Sequence, residues 1–411
     1  MAVGALIPLL GQYLALIGFS GTQIGSITAC GTGVAILTAP LMGVRYNRSK
    51  NKKKFHTALC VAAAIVCMML FFTQNYFIFL FIFCALFLFQ APSIAFLDAA
   101  VIEDQQPFGA ARKWGAIGFA LGVFFTGEIT GYLGLSFIFF AYATGFLISA
   151  VILFRMSLKR ADAAILESAA VQTDAGGQAD MAAQADAVPM SASVQVPEQA
   201  PRAAASLLKN RKYILIVASS FFVSGPVMAN NIYFGFLFIE GGGTVAGIGL
   251  AFLLMGGSEA PFMAWSAKLA ARFTLEKTLL VAMCLSVLRF AWYGTGPSST
   301  LLLAFFFLQG MVYGIMLIEF IRYVAKVSDP KELGLAISVY YALGNGLSSI
   351  LCQMVSGIIL DFFGARAIYL FFACLNIVGV VIYVAAGLYR PGEEEGRKDV
   401  KSTENSAGDE W

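Results

Sequence analysis

Six ionisable residues interrupt the long apolar stretches of this 411-residue chain: Asp98, Arg112, Glu128, Glu259, Arg289 and Glu319. A charge at the centre of a bilayer costs roughly 2.5–3.5 kcal/mol on insertion scales, so each of these residues needs a task. Two kinds of chemistry suit them. A carboxylate beside an arginine can clamp a hydroxyl or carboxyl group, and a buried carboxylate whose cation approaches and withdraws can release and take up a proton. Asp98 and Arg112 are separated by the short turn Glu103 to Phe108 and form one candidate pair. Glu259 and Arg289, at mid-depth in neighbouring apolar runs, form a second. Glu319 precedes Arg322 by three residues, the spacing of a helical ion pair. The chain carries no nucleotide-binding loop, no metal-ligand cluster and no nucleophile with a paired base, so neither an enzyme nor a cofactor is expected. The lone histidine, His56, at a membrane edge, receives no role, and the seven cysteines read as ordinary core residues.

The elements that must position these charges are transmembrane helices. Composition is 59% hydrophobic and 12% charged, with a mean hydropathy of +0.78, against about 25% charged in soluble domains. Of 27 Lys and Arg residues, 25 fall in six polar intervals: Arg45 to Lys54, Arg112 with Lys113, Arg155 to Lys212, Lys268 to Lys277, Arg322 to Lys331, and the tail from Arg390. Between successive intervals lie apolar runs long enough to cross out and back. Each run turns at a short, nearly uncharged segment such as Ser20-Gly21-Thr22 or Gly241-Gly242-Gly243. The positive-inside rule places all six basic intervals in the cytoplasm. Twelve spans are expected, near 2–19, 22–44, 56–73, 77–101, 109–133, 135–157, 211–239, 244–270, 276–295, 300–325, 332–360 and 365–389. The net charge of +3 resides in these loops and orients the chain, with no implication of nucleic acid. The first span begins at Met1 without a basic flank, which fits a start codon placed too far downstream.

Ala161 to Ala205 is built from Ala, Gln, Asp, Ser, Val and Pro and cannot bury enough apolar surface to fold. The expected organisation is therefore a six-helix bundle over 1–157, a cytoplasmic disordered linker over 158–210, a second bundle over 211–389 and a cytoplasmic tail over 390–411. The halves repeat weakly. Gly21-Thr22, Gly25 and Ala39-Pro40-Leu41-Met42 recur as Gly243-Thr244, Gly247 and Ala260-Pro261-Phe262-Met263. Gly109, Gly115, Gly118, Gly122 and Gly127 thin one helix for close neighbours, and Gly344, Gly346 and Gly357 do the same later in the chain.

With these residues in view, the chain resembles one branch of the major facilitator superfamily, which holds phenylpropionate permeases, lactose-permease-like oligosaccharide symporters and nucleoside symporters. The likeness covers essentially the whole chain. Its most specific block is Leu97-Asp98-Ala99 followed by Phe108-Gly109-Ala110-Ala111-Arg112-Lys113-Trp114-Gly115-Ala116-Ile117-Gly118-Phe119. It is similar to the family's helix-four acid and G-x-x-R-x-[WF]-G element. Ser258-Glu259-Ala260, Val287-Leu288-Arg289-Phe290 and Arg322-Tyr323 match further positions. The resemblance implies an all-α major facilitator fold of two six-helix bundles, with substrate held between them. It implies substrate contacts at Asp98 and Arg112, with Trp114 and Phe119 available for stacking. Where lactose-type symporters carry a histidine and then a proton-carrying glutamate on helix ten, this chain has Gln309 and Val312, and Ala110 replaces their second arginine. Galactoside recognition is therefore not expected, and proton coupling falls to Glu259, Arg289 and Glu319.

The function expected is secondary transport of a small organic solute (an aromatic acid, nucleoside or oligosaccharide) driven by protons through alternating access. The transporter is expected as a monomer in a bacterial plasma membrane. Two other readings stand beside this one: a non-transporting membrane sensor or scaffold on the same fold, and a truncated, nonfunctional transporter.

Overall fold

The computed structural model describes residues 1–49, 51–103, 108–170, 207, 209–329 and 332–390. Most of the expected linker and the tail beyond Arg390 lie outside the described residues. Lipid offers no hydrogen bonds, so each apolar run must satisfy its own backbone, and the runs fold as helices. These are α1 (Ala2–Leu16), α2 (Gly21–Arg48), α3 (Lys52–Phe71), α4 (Tyr76–Glu103), α5 (Phe108–Leu133), α6 (Phe137–Ala170), α7 (Arg211–Glu240), α8 (Val245–Phe273), α9 (Leu275–Gly294), α10 (Ser299–Phe305), α11 (Phe307–Val327), α12 (Leu333–Tyr340) and α13 (Ser348–Ala385). A π-helical turn, Tyr341–Leu347, joins α12 to α13.

Nine helical segments among the described residues are long and apolar enough to cross a bilayer. One of them, Leu333–Ala385, is 53 residues long and holds two crossings that meet at Gly364, whose φ of 78° is the left-handed break that ends the first. That break falls where two spans were expected to meet. The shorter α1 and the 20-residue α9, which carries Glu276, Lys277 and Arg289, complete the twelve expected crossings among the described residues. Two features of the spans differ from expectation. The tenth crossing is divided at Phe306 into α10 and α11. The helix of the sixth span continues past the expected end at 157, to Ala170.

The turns between helices use side-chain caps. Ser20 and Gln23 form a reciprocal capping box at the start of α2, and Asn51, Asn210 and Thr244 cap α3, α7 and α8. Among the described residues, short uncharged turns meet at one end of the bundles, as in the Ser299 N–H to Gly241 carbonyl bond; we call this end the short-turn face and the opposite end, where the helices bounded by basic residues such as Arg48, Lys52 and Arg211 begin or stop, the basic face.

Glycines determine where helices from different halves meet. A Cβ on Gly21, Gly25 or Gly357 would strike backbone of the opposing helix, so α2 and the first half of α13 touch backbone to backbone. Gly127 on α5 lies against Gly249 on α8 in the same way. The second and eleventh crossings thus pair as the fifth and eighth do, the arrangement two parallel-repeat halves require. Gly122 meets the backbone of Met1 and Gly4 meets that of Phe119, seating α1 on α5. Gly115, expected to be a packing glycine, has no neighbour there within 4 Å among the described residues.

Candidate functional site

A cavity of about 350 Å³ lies between the halves. From the first half it is lined by Val3, Ile7 and Leu10 on α1, Thr28 and Thr32 on α2, and Phe83, Phe87 and Gln90 on α4. The second half adds Met228, Asn231 and Ile232 on α7, Tyr341, Asn345 and Gly346 in the π turn, and Ser349 and Gln353 on α13. Among the described residues, no lining side chain is charged. The wall offers hydroxyls, carboxamides and aromatic rings.

The polar groups are held by defined partners. The Tyr142 hydroxyl donates to Gln90 Oε1 at 2.7 Å, which leaves the Gln90 amide N–H groups available to the cavity. Gln353 Nε2 donates to Ser349 Oγ at 2.8 Å and sits 3.4 Å from the Thr32 hydroxyl across the bundle boundary. The backbone carbonyl of Gln353 accepts from the Tyr233 hydroxyl at 2.7 Å. The π turn matters here. By widening one turn of helix it displaces Tyr341, Asn345 and Gly346 from ideal α register at the cavity wall, a placement typical of functional π segments.

Of the charges singled out in the sequence, Glu259, Arg289 and Glu319 are not among the residues lining this cavity. Asp98 and Arg112 belong to α4 and α5, but their side chains fall outside the described set. Trp114 is 68% exposed and Phe119 packs edge-on against Phe252 at 6.3 Å, so neither lines this cavity. Glu259 is half-buried on α8, where α11 approaches so closely that Cβ atoms on Gly310 and Gly314 would each stand 2.9 Å from its backbone. Glu319 is fully buried and pairs with Arg322 at 3.1 Å, as its spacing suggests. A neighbouring bridge, Lys326 to Glu276 at 2.8 Å, ties α11 to α9.

Arg289 differs from the sequence expectation. It is 4% exposed, and none of its three guanidinium nitrogens has a hydrogen-bond partner among the described residues, so no hydrogen bond to Glu259 forms in this conformation. The guanidinium carbon lies 4.2 Å from the Phe290 ring centroid and 5.6 Å from that of Tyr293. Aromatic faces attract a cation, but more weakly than a carboxylate does at the same depth.

Residues 1–371 match the family model described as the MFS_1 like family. The chain belongs to that family. Maltose permease of Geobacillus stearothermophilus is 31% identical over 386 residues, covering 93% of this chain and 90% of the relative. An uncharacterized transporter of Bacillus subtilis (strain 168), YwbF, is 25% identical over 391 residues, covering 92% and 88%. A crystal structure of the nucleoside transporter NupG superposes with a TM-score of 0.73 at 16% identity, covering 95% of this chain and 96% of that one. This MFS_1 like protein is a solute transporter and not an enzyme, an integral membrane protein whose fold is the all-α major facilitator fold of two six-helix bundles.

Sequence reasoning missed the cavity residues because it followed charge. A signal was nonetheless present: Gln90, Asn231, Asn345 and Gln353 are carboxamides inside apolar runs, and a polar side chain at membrane depth faces protein or a cavity.

Proposed function

We propose that the protein is a proton-driven symporter of a neutral sugar, most simply a disaccharide such as maltose, acting as a monomer in a bacterial plasma membrane with its basic face in the cytoplasm. The single observation that carries the substrate class is the cavity wall, where no lining side chain among the described residues is charged. A carboxylate-bearing aromatic substrate needs a cation to replace lost hydration, whereas a sugar needs donors and acceptors for its hydroxyls and a flat apolar face for its ring. Gln90, Asn231, Asn345 and Gln353 supply the former and Phe83, Phe87 and Tyr341 the latter. The maltose permease relationship supports the same class.

Glu259 is assigned as the proton carrier. It is half-buried, and its helix packs against both α5 of the other bundle and α11 of its own, so bundle rocking changes its surroundings. Arg289 supplies the cation that modulates it in another conformation, and Glu319, tied to Arg322, is the secondary candidate. Asp98 and Arg112 are retained as the polar end of the substrate path. The organisation into bundles over 1–157 and 211–389, joined by the 158–210 linker and followed by the 390–411 tail, is part of the same reading.

The test is uptake of labelled maltose by membrane vesicles, with nucleosides and phenylpropionate as competitors. Competition by sugars alone supports the reading; competition by phenylpropionate alone overturns it.

A further inference from the structure

Gln353, Gly357 and Asp361 follow one another at four-residue spacing on α13, forming a stripe that runs from the cavity to the short-turn face. Every member meets α2. Gln353 lies near Thr32, with its carbonyl against Gly25; Gly357 meets the backbone of Gly21 and Gly25. Asp361 caps the helix itself. Its Oδ1 accepts from the Gly21 N–H, and its Oδ2 accepts from the Thr22 N–H at 2.8 Å and the Thr22 hydroxyl at 2.6 Å.

The first N–H groups of a helix have no intrahelical acceptor and carry the positive end of the helix dipole. In α2 the local cap, Ser20, serves the Gln23 N–H and leaves Gly21 and Thr22 for a group from the other bundle. The partners of Asp361 among the described residues all lie on α2. The neighbouring Arg366 is engaged by Glu240 at 2.8 Å, and the Tyr233 hydroxyl by the Gln353 carbonyl. A carboxylate thus spans the bundle boundary at the outer end of the tightest backbone contact between α2 and α13.

We propose that Asp361 is the latch of the short-turn gate: its bonds to the start of α2 hold that face closed, and they break and re-form each time the bundles rock. The inference rests on the alternating-access reading above. Asp361 is exposed, so replacing it removes the latch without opening a hole in the core.

The test needs neither substrate nor gradient, so its failure is distinct from failure of the transport reading. In the full-length protein with its seven cysteines replaced, spin labels are placed at Gln74 and Thr295, exposed positions at the short-turn ends of the two halves. Distances are measured by pulsed electron resonance in lipid nanodiscs. With the native latch, one short distance dominates. Asp361→Asn and Asp361→Ala raise the ratio of long to short distances roughly tenfold, as expected from losing charge-assisted hydrogen bonds, and Thr22→Val raises it less. Unchanged distributions in both Asp361 variants overturn the latch. Should Asp361→Ala not be recovered folded, Asp361→Asn and Thr22→Val decide the matter, and no shift in either is fatal to it.

Discussion

Tyr142 orients Gln90: the phenol donates to the amide oxygen at 2.7 Å, and Gln90, 3% exposed, presents its remaining donors at the cavity wall. A carboxamide without that bond can turn either end toward substrate. Tyr142→Phe therefore removes orientation while preserving ring packing against Phe146. We expect a half-saturation concentration raised about five- to tenfold, near the ~1 kcal/mol worth of one hydrogen bond, with protein level unchanged. Gln90→Ala should cost more. Concentration-dependent uptake into vesicles measures both.

Arg112 is expected to bind substrate through its planar fork of donors. Arg112→Lys retains the charge but loses the fork, so affinity should fall strongly in a protein that still inserts. Equal binding by wild type, Arg112→Lys and Arg112→Ala, measured by substrate protection of cavity labelling, would reduce the residue to a structural role.

Arg289 separates stability from coupling. Burying an ion costs several kcal/mol unless a counter-charge repays it, and among the described residues the guanidinium lies against the Phe290 and Tyr293 rings with no ion-pair partner. Arg289→Met keeps the bulk and removes the ion. Thermal stability should be unchanged or higher, while gradient-driven accumulation falls and downhill exchange persists. A large drop in melting temperature would show that the guanidinium stabilises the fold in a way its surroundings do not reveal.

The same residue shows what the sequence could and could not disclose. Its burial was legible, because an arginine midway along an apolar run has few alternatives. Its partner was not, because pairing depends on helix rotation and on which face of the transport cycle is closed. The spans were legible for a simple reason: hydropathy and the grouping of basic residues follow directly from the bilayer, and even the Gly364 boundary falls between two expected helices. The break at Phe306 and the π turn at Tyr341–Leu347 left no mark in composition. Glu319 with Arg322 could be read from spacing alone, since both lie on one helix. Asp361 could not, since its partners are more than three hundred residues away in sequence.

Glycine positions supply a stability contrast. A Cβ on Gly4 would collide with the Phe119 carbonyl, whereas one on Gly115 meets nothing within 4 Å among the described residues. Gly115→Ala should be neutral or stabilising by up to ~1 kcal/mol, the usual helix-interior difference. Gly4→Ala should lower the melting temperature by displacing α1 from α5. Thermal unfolding in detergent checks the pair.

The coupling claim is tested most directly at Glu259. A carboxylate that must lose a proton each cycle is disabled as Gln, which resembles its protonated form, yet the site can still bind and exchange substrate. The measurement compares wild type with Glu259→Gln in proteoliposomes, following labelled maltose under an inward proton gradient and then in counterflow. Wild type should accumulate maltose and lose it on addition of a protonophore, while Glu259→Gln fails to accumulate but retains counterflow. Accumulation against a gradient by Glu259→Gln, or maltose uptake by wild type that ignores the proton gradient, would contradict proton-driven sugar symport through this residue.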